Sequence, residues 1–152
     1  MLEKISKLLN IETKNKKEIL KPKIKDADPY SFNQPRPENY YDLNELIASS
    51  QGNNEFTRKM INLFLTSSFA SINNLKFHLK QNNWEQLGKT AHRMIGSYKQ
   101  MGIGYVASML KELEETASGS RELGKAAWLV KETESYSSEV FDLLKKELNN
   151  FS

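Results

Sequence analysis

The chain holds two histidines, His78 and His92, and the company of the second gives it a chemistry. His92 lies in "TAHRMIGSYKQMGIG", residues 90–104, with Gly88 and Gly96 four residues to either side and Lys89 and Lys99 nearby. At neutral pH a useful fraction of an imidazole is unprotonated, and its free nitrogen is a nucleophile. Lysines beside such a ring favour the arrival of an anion. On a helical wheel Leu87, Ala91, Met94, Tyr98 and Met101 fall in one narrow sector, which makes that sector the core face. His92 then points roughly 140° away from it, toward solvent. Glu85, Gly88, Lys89, Gly96 and Lys99 share the outer face with it. Each glycine costs about 1 kcal/mol of helix propensity against alanine, so two on one face suggest a surface kept clear around the ring. His78, in "KFHLK", has no such company and receives no role. Two histidines on different helices, with no carboxylate cluster, make a poor ligand set, so no metal site is expected.

The elements that must hold His92 are helices. After Tyr41 no proline occurs and apolar residues recur at helical spacing. "DLNELIASS" offers Asp42 as an N-cap before Leu43, Leu46 and Ile47, and stops at Gly52. A long helix over about 53–80 carries two apolar stripes. One holds Phe56, Met60, Leu63, Phe64, Ser67 and Ala70; the other holds Ile61, Leu65, Phe69, Ile72, Leu75 and Leu79. Two stripes predict contact with more than one neighbour. "QNNWEQ" breaks the pattern before the His92 helix, about 84–100, and Gly102 and Gly104 mark a tight turn. A further helix carries Val106, Met109, Leu110, Leu113 and Ala117 and ends at "SGS". The last has Leu123, Ala127, Val130, Ser137, Phe141, Leu144 and Leu148, near a heptad rhythm. No segment alternates with period two. The expected fold is all-α, an antiparallel four-helix bundle over 41–150 with an additional short N-terminal helix.

Residues 1–40 read differently. Leu2, Ile5, Leu8 and Leu9 suggest a short amphipathic helix over 2–9, and all four prolines, Pro22, Pro29, Pro35 and Pro37, follow it. Proline removes a backbone donor and turns the preceding residue away from α, so this stretch is expected to be an extended, flexible linker. It also carries the whole charge excess, nine Lys/Arg against six Asp/Glu, while the remaining residues balance at thirteen each. The bundle therefore has no compact basic patch on which to expect nucleic acid. With no cysteine in the 152 residues, disulfides, thiol catalysis and thiolate metal sites are excluded. The longest apolar runs are too short to span a bilayer, and the mixed charges of the N-terminus do not resemble a signal peptide. A cytoplasmic monomer without membrane contact is expected, or the cytoplasmic part of a membrane-bound parent.

"AHRMIGSYKQMGIGYVASMLKELE" resembles the histidine-containing phosphotransfer (HPt) domain of two-component phosphorelays. The family pattern runs Ala-His-x-Leu-Lys-Gly-Ser, an apolar residue with Gly, and a helix ending near Leu-Glu. Here it is matched by Ala91, His92, Met94, Gly96, Ser97, Met101, Gly102, Leu113 and Glu114. The resemblance implies that His92 accepts a phosphoryl group from a receiver-domain aspartyl phosphate and passes it to another receiver. It implies Mg²⁺ on the receiver, no cofactor on this chain, and a docking face around Gly88, Lys89, Ile95, Gly96 and Lys99. With no Gly-rich phosphate loop, the chain reads as a phosphocarrier and not a kinase. The family usually has lysine where this chain has Ile95, three residues after the histidine. Lys99 or Lys89 is expected to take over its charge, and Ile95 to add an apolar docking contact. "LEKISKLLN" is similar to the last helix of a receiver domain, and a proline-rich linker after it is the arrangement of hybrid sensor kinases. The competing reading is a helical module that docks a receiver or other partner without phosphotransfer, with Ile95 as its mark.

Overall fold

The computed structural model describes Phe32 and residues 34–151, and these form five α-helices and a closing 3₁₀ turn with no strand among them. The helices are α1 (Asn44–Ser50), α2 (Asn54–Lys80), α3 (Trp84–Gln100), α4 (Gly104–Ser118) and α5 (Leu123–Glu147). The short helix expected over residues 2–9, and Pro22 and Pro29, lie outside the described residues.

Local chemistry explains the boundaries. Asn53 caps α2 by accepting from the Phe56 N–H at 3.0 Å. Asn83 caps α3 in the same way, accepting from the Gln86 N–H at 3.2 Å. Between them Asn82 takes a left-handed φ of 55°. That conformation ends α2 where the sequence pattern breaks. Asp42 is not itself the N-cap of α1. Leu43 holds that position, and the Asp42 carboxylate accepts from the Asn44 N–H at 2.9 Å. Of the two glycines in the α3–α4 turn, Gly102 has φ 70°, whereas Gly104 is already the first residue of α4.

The connections between α2, α3, α4 and α5 are three or four residues long, so successive helices run antiparallel. α2 packs on α3, α3 most extensively on α4, α4 on α5, and α5 back on α2, which closes a four-helix bundle. α1 leans on α2. The core holds Ile61, Leu75, Leu87, Met109, Leu110, Leu113, Leu129 and Leu144, all essentially without exposure. At its centre Tyr98 and Ser137 share a buried hydrogen bond at 2.7 Å, and Phe64 meets the Tyr98 ring edge-on.

Two apolar patterns read differently in three dimensions. α2 buries one stripe, Thr57, Ile61, Phe64, Ser68, Ile72 and Leu75, while Phe56, Leu63 and Phe69 stay exposed. Of the two stripes read from the sequence, the one through Ile61, Ile72 and Leu75 is mostly buried, while the one through Phe56 and Leu63 is buried only at Phe64. In α5 Leu123 is likewise exposed, and the buried face widens to include Ala126, Leu129, Thr133, Tyr136 and Val140.

The end of the proline-rich stretch is held against the bundle. Arg36 forms ion pairs with Glu132 (2.8 Å) and Glu139 (2.9 Å) on α5. Its guanidinium lies over the Tyr136 ring, an attractive placement for a cation. Tyr40 donates to Glu139 at 2.5 Å, and Phe32 meets Tyr105 edge-on. Tyr40 and Arg36 together hold the Glu139 carboxyl below its ordinary range.

Candidate functional site

α3 is oriented by the burial of Leu87, Thr90, Ala91, Met94 and Tyr98, and this turns His92 outward with its side chain 70% exposed. The ring is not free to spin. Its Nδ1 stands 2.9 Å from a carboxylate oxygen of Glu114 on α4. α4 is fixed in turn by Val106, Met109, Leu110, Leu113 and Ala117, all buried, so Glu114 reaches toward α3 from a rigid base. A carboxylate at this distance favours the ring tautomer that carries the proton on Nδ1. In the neutral ring the lone pair then sits on Nε2. A nucleophilic nitrogen, an exposed face and a defined tautomer are what an in-line attack on an external electrophile requires.

The residues around His92 separate into different roles. Gly96 has open space where a Cβ would stand, so the surface one turn beyond the ring is clear. Gly88 is different, because a Cβ there would meet the Ala117 Cβ at 3.2 Å. It lets α3 and α4 approach closely, and it clears the outer face only secondarily. Lys89 is engaged by Glu85 at 3.2 Å. Ile95 is half-buried, and Lys99 is exposed. A shallow groove of about 720 Å³ runs between α3 and α4 beside His92 and Glu114. Its cations are Lys89, Arg93 and Arg121; Lys99 does not line it. His78 is half-buried near the end of α2, edge-on to Phe77 and away from this groove.

Sequence reasoning noticed Glu114 only as the end of a motif and gave Arg93 and Arg121 no part. Among the described residues no group of three or more His, Cys, Asp or Glu is placed to hold a metal ion. No described helix is long and apolar enough to cross a membrane.

No family model matches the chain, and no curated protein does. Among solved structures the chain is similar to histidine-containing phosphotransfer protein B from Pseudomonas aeruginosa. That match has a TM-score of 0.69 and 24% identity, and it covers 76% of this chain and 100% of the other. The fold that holds an outward-facing His92 against Glu114 is therefore that of a histidine-containing phosphotransfer domain.

Proposed function

We propose that the chain is a phosphocarrier of a phosphorelay, with His92 as the residue that is phosphorylated. The observation that carries this reading is the approach of His92 Nδ1 to a Glu114 carboxylate oxygen at 2.9 Å, on an imidazole otherwise exposed. It leaves Nε2 as the nucleophile and directs it away from the bundle. A docked receiver presents its aspartyl phosphate, the Nε2 lone pair forms the N–P bond, and the receiver's carboxylate leaves with the electrons of the P–O bond. The ring's Nδ1 proton stays with the ring, and the positive charge that develops there faces the Glu114 carboxylate. Phosphoryl transfer passes through a loose transition state, so positioning and charge matter more than covalent help from this chain. The reverse steps deliver the group to a second receiver.

The partners in this reading are receiver domains that bring their own Mg²⁺. Gly96 leaves room for them beside the ring, and the half-buried Ile95 offers an apolar edge. The sequence of residues 1–40, similar to a receiver's last helix followed by a linker, supports a hybrid sensor kinase as parent, with this domain working on the cytoplasmic side.

Incubation with a phosphorylated receiver and Mg²⁺ tests the proposal. Acid-labile, base-stable label on the wild type and none on His92→Gln is the expected result. Stable docking of the receiver with no label on the wild type would establish the interaction module instead.

A further inference from the structure

The groove beside His92 ends at the α4–α5 turn, and that turn holds a residue in an unfavourable conformation. Arg121 has a φ of 52°. This is the left-handed region, in which glycine is at ease and a long side chain is not. Gly119, two residues earlier, does not take up that conformation, with φ −119°. The Arg121 N–H donates to Thr116 O at 2.8 Å, and its side-chain Nε donates to Ala117 O at 3.1 Å. The guanidinium is thereby folded back along α4, toward the level of Gly88. Both Arg121 and His92 line the groove.

The charges of the groove are unequally matched. Glu85 is engaged by Lys89, and Glu114 by His92. Arg93 reaches only the Thr90 hydroxyl, at 3.4 Å, and neither Arg93 nor Arg121 has a carboxylate partner among the described residues. Two guanidinium groups thus share the groove with His92, each with N–H donors to spare. A guanidinium suits a tetrahedral oxyanion because its planar fork offers paired donors and it stays charged at any working pH.

From this we infer an oxyanion site in the α3–α4 groove, in which Arg121, with Arg93 beside it, receives the oxygens of a phosphoryl group on His92 Nε2. The ligand class is a phosphoryl dianion. Arg121 supplies the charge that Ile95, in place of a lysine, does not, and Lys99 does not supply it. The site rests on the reading of His92 as the phosphoryl acceptor. Arg121 moves no proton: the Nε2 lone pair forms the N–P bond, and the leaving group departs with the electrons of the bond it loses.

Phosphoramidate, which needs no receiver, separates the two claims. Its P–N bond breaks as the N–P bond to His92 forms, and ammonia leaves. The full chain is incubated with it and phosphohistidine is followed by intact mass, for the wild type and for Arg121→Ala, Arg121→Gln, Arg121→Lys and Lys99→Ala. Loss of a charge-assisted contact predicts accumulation roughly tenfold slower in Arg121→Ala and Arg121→Gln. Arg121→Lys recovers much of the rate, Lys99→Ala keeps the wild-type rate, and the melting temperatures of all four stay near that of the wild type. Wild-type rates in both Arg121→Ala and Arg121→Gln overturn the oxyanion site while leaving the carrier reading intact. So does slowing that is confined to Lys99→Ala. A wild type that takes no phosphoryl group from either phosphoramidate or a receiver overturns the carrier reading itself.

Discussion

At the scale of single residues, the proposed role of His92 turns on one contact. A solvent-exposed imidazole exchanges its proton between two nitrogens, and only the Glu114 carboxylate at 2.9 Å holds it on Nδ1. Replacing Glu114 by alanine frees the ring and removes the countercharge, so transfer from a phosphorylated receiver is expected to slow roughly tenfold. Glu114→Gln keeps an amide oxygen that accepts from Nδ1, and its effect is expected to be smaller. Quench-flow rates for the two variants check this; wild-type rates in both would mean that Glu114 does not set the tautomer. The outward direction of His92 was legible in the sequence because it follows from the apolar residues of its own helix. Its partner was not, since Glu114 lies 22 positions away and only the packing of α3 on α4 joins them. The charge expected of Lys99 met the same limit: a wheel puts it in line with His92, but the groove lies to one side, toward α4.

At the scale of elements, the α3–α4 hairpin organises the site, and its pairing follows from its turn. Two antiparallel helices of equal rise per residue bring equal steps from the turn to the same level. Counted from Ile103, eleven residues back is His92 and eleven forward is Glu114. The same count brings Gly88 near Ala117, where a Cβ on α3 would crowd α4. That arithmetic was available in the sequence and points to both contacts once the turn is known. The turn itself depends on Gly102, whose φ is 70° and whose missing Cβ leaves room for the backbone of Asp42. Gly102→Ala is expected to cost more than about 2 kcal/mol from the left-handed backbone and the collision together. Gly96→Ala is expected to stabilise by up to about 1 kcal/mol, because the site is open and alanine favours helix. Chemical denaturation checks both, and opposite signs are the essential outcome. If Gly96→Ala destabilised as much as Gly102→Ala, the assignment of one glycine to the surface and the other to the fold would fail. α2 shows where helical periodicity misleads. Its Phe56 stripe is as regular as its Ile61 stripe, and spacing alone cannot tell a stripe that meets a neighbour from one that meets solvent.

At the scale of the whole molecule, the bundle was legible because four long, periodic segments with short connections admit few packings. What spacing did not reveal is the polar and ionic wiring that crosses it. Arg36 closes the end of the proline-rich stretch onto Glu132 and Glu139, and its partners lie far along the chain on α5. Inside, the Tyr98 phenol is pushed up to about 12 by burial, against the opposing effect of its hydrogen bonds to Ser137 and Ser68. Below pH 10 this phenol is protonated in both folded and unfolded chains, and its contribution is fully present. Above pH 10 the unfolded chain loses the proton first, so stability falls until about pH 12, by an amount on the order of 2–3 kcal/mol from this group. Tyr98→Phe is expected to lose about 1 kcal/mol at pH 8 with the Ser137 bond, yet to flatten part of the alkaline fall. Denaturation at pH 8 and pH 11 measures both, and an unchanged alkaline fall would contradict the assignment.

The phosphocarrier reading rests on one atom, Nε2 of His92. Phosphorylating the chain from a phosphorylated receiver and recording its phosphorus and imidazole-nitrogen NMR identifies the nitrogen that carries the phosphoryl group. Phosphorus on Nε2 of His92, with Nδ1 still protonated toward Glu114, is the predicted result. Phosphorus on Nδ1 of His92, or on His78, would contradict it.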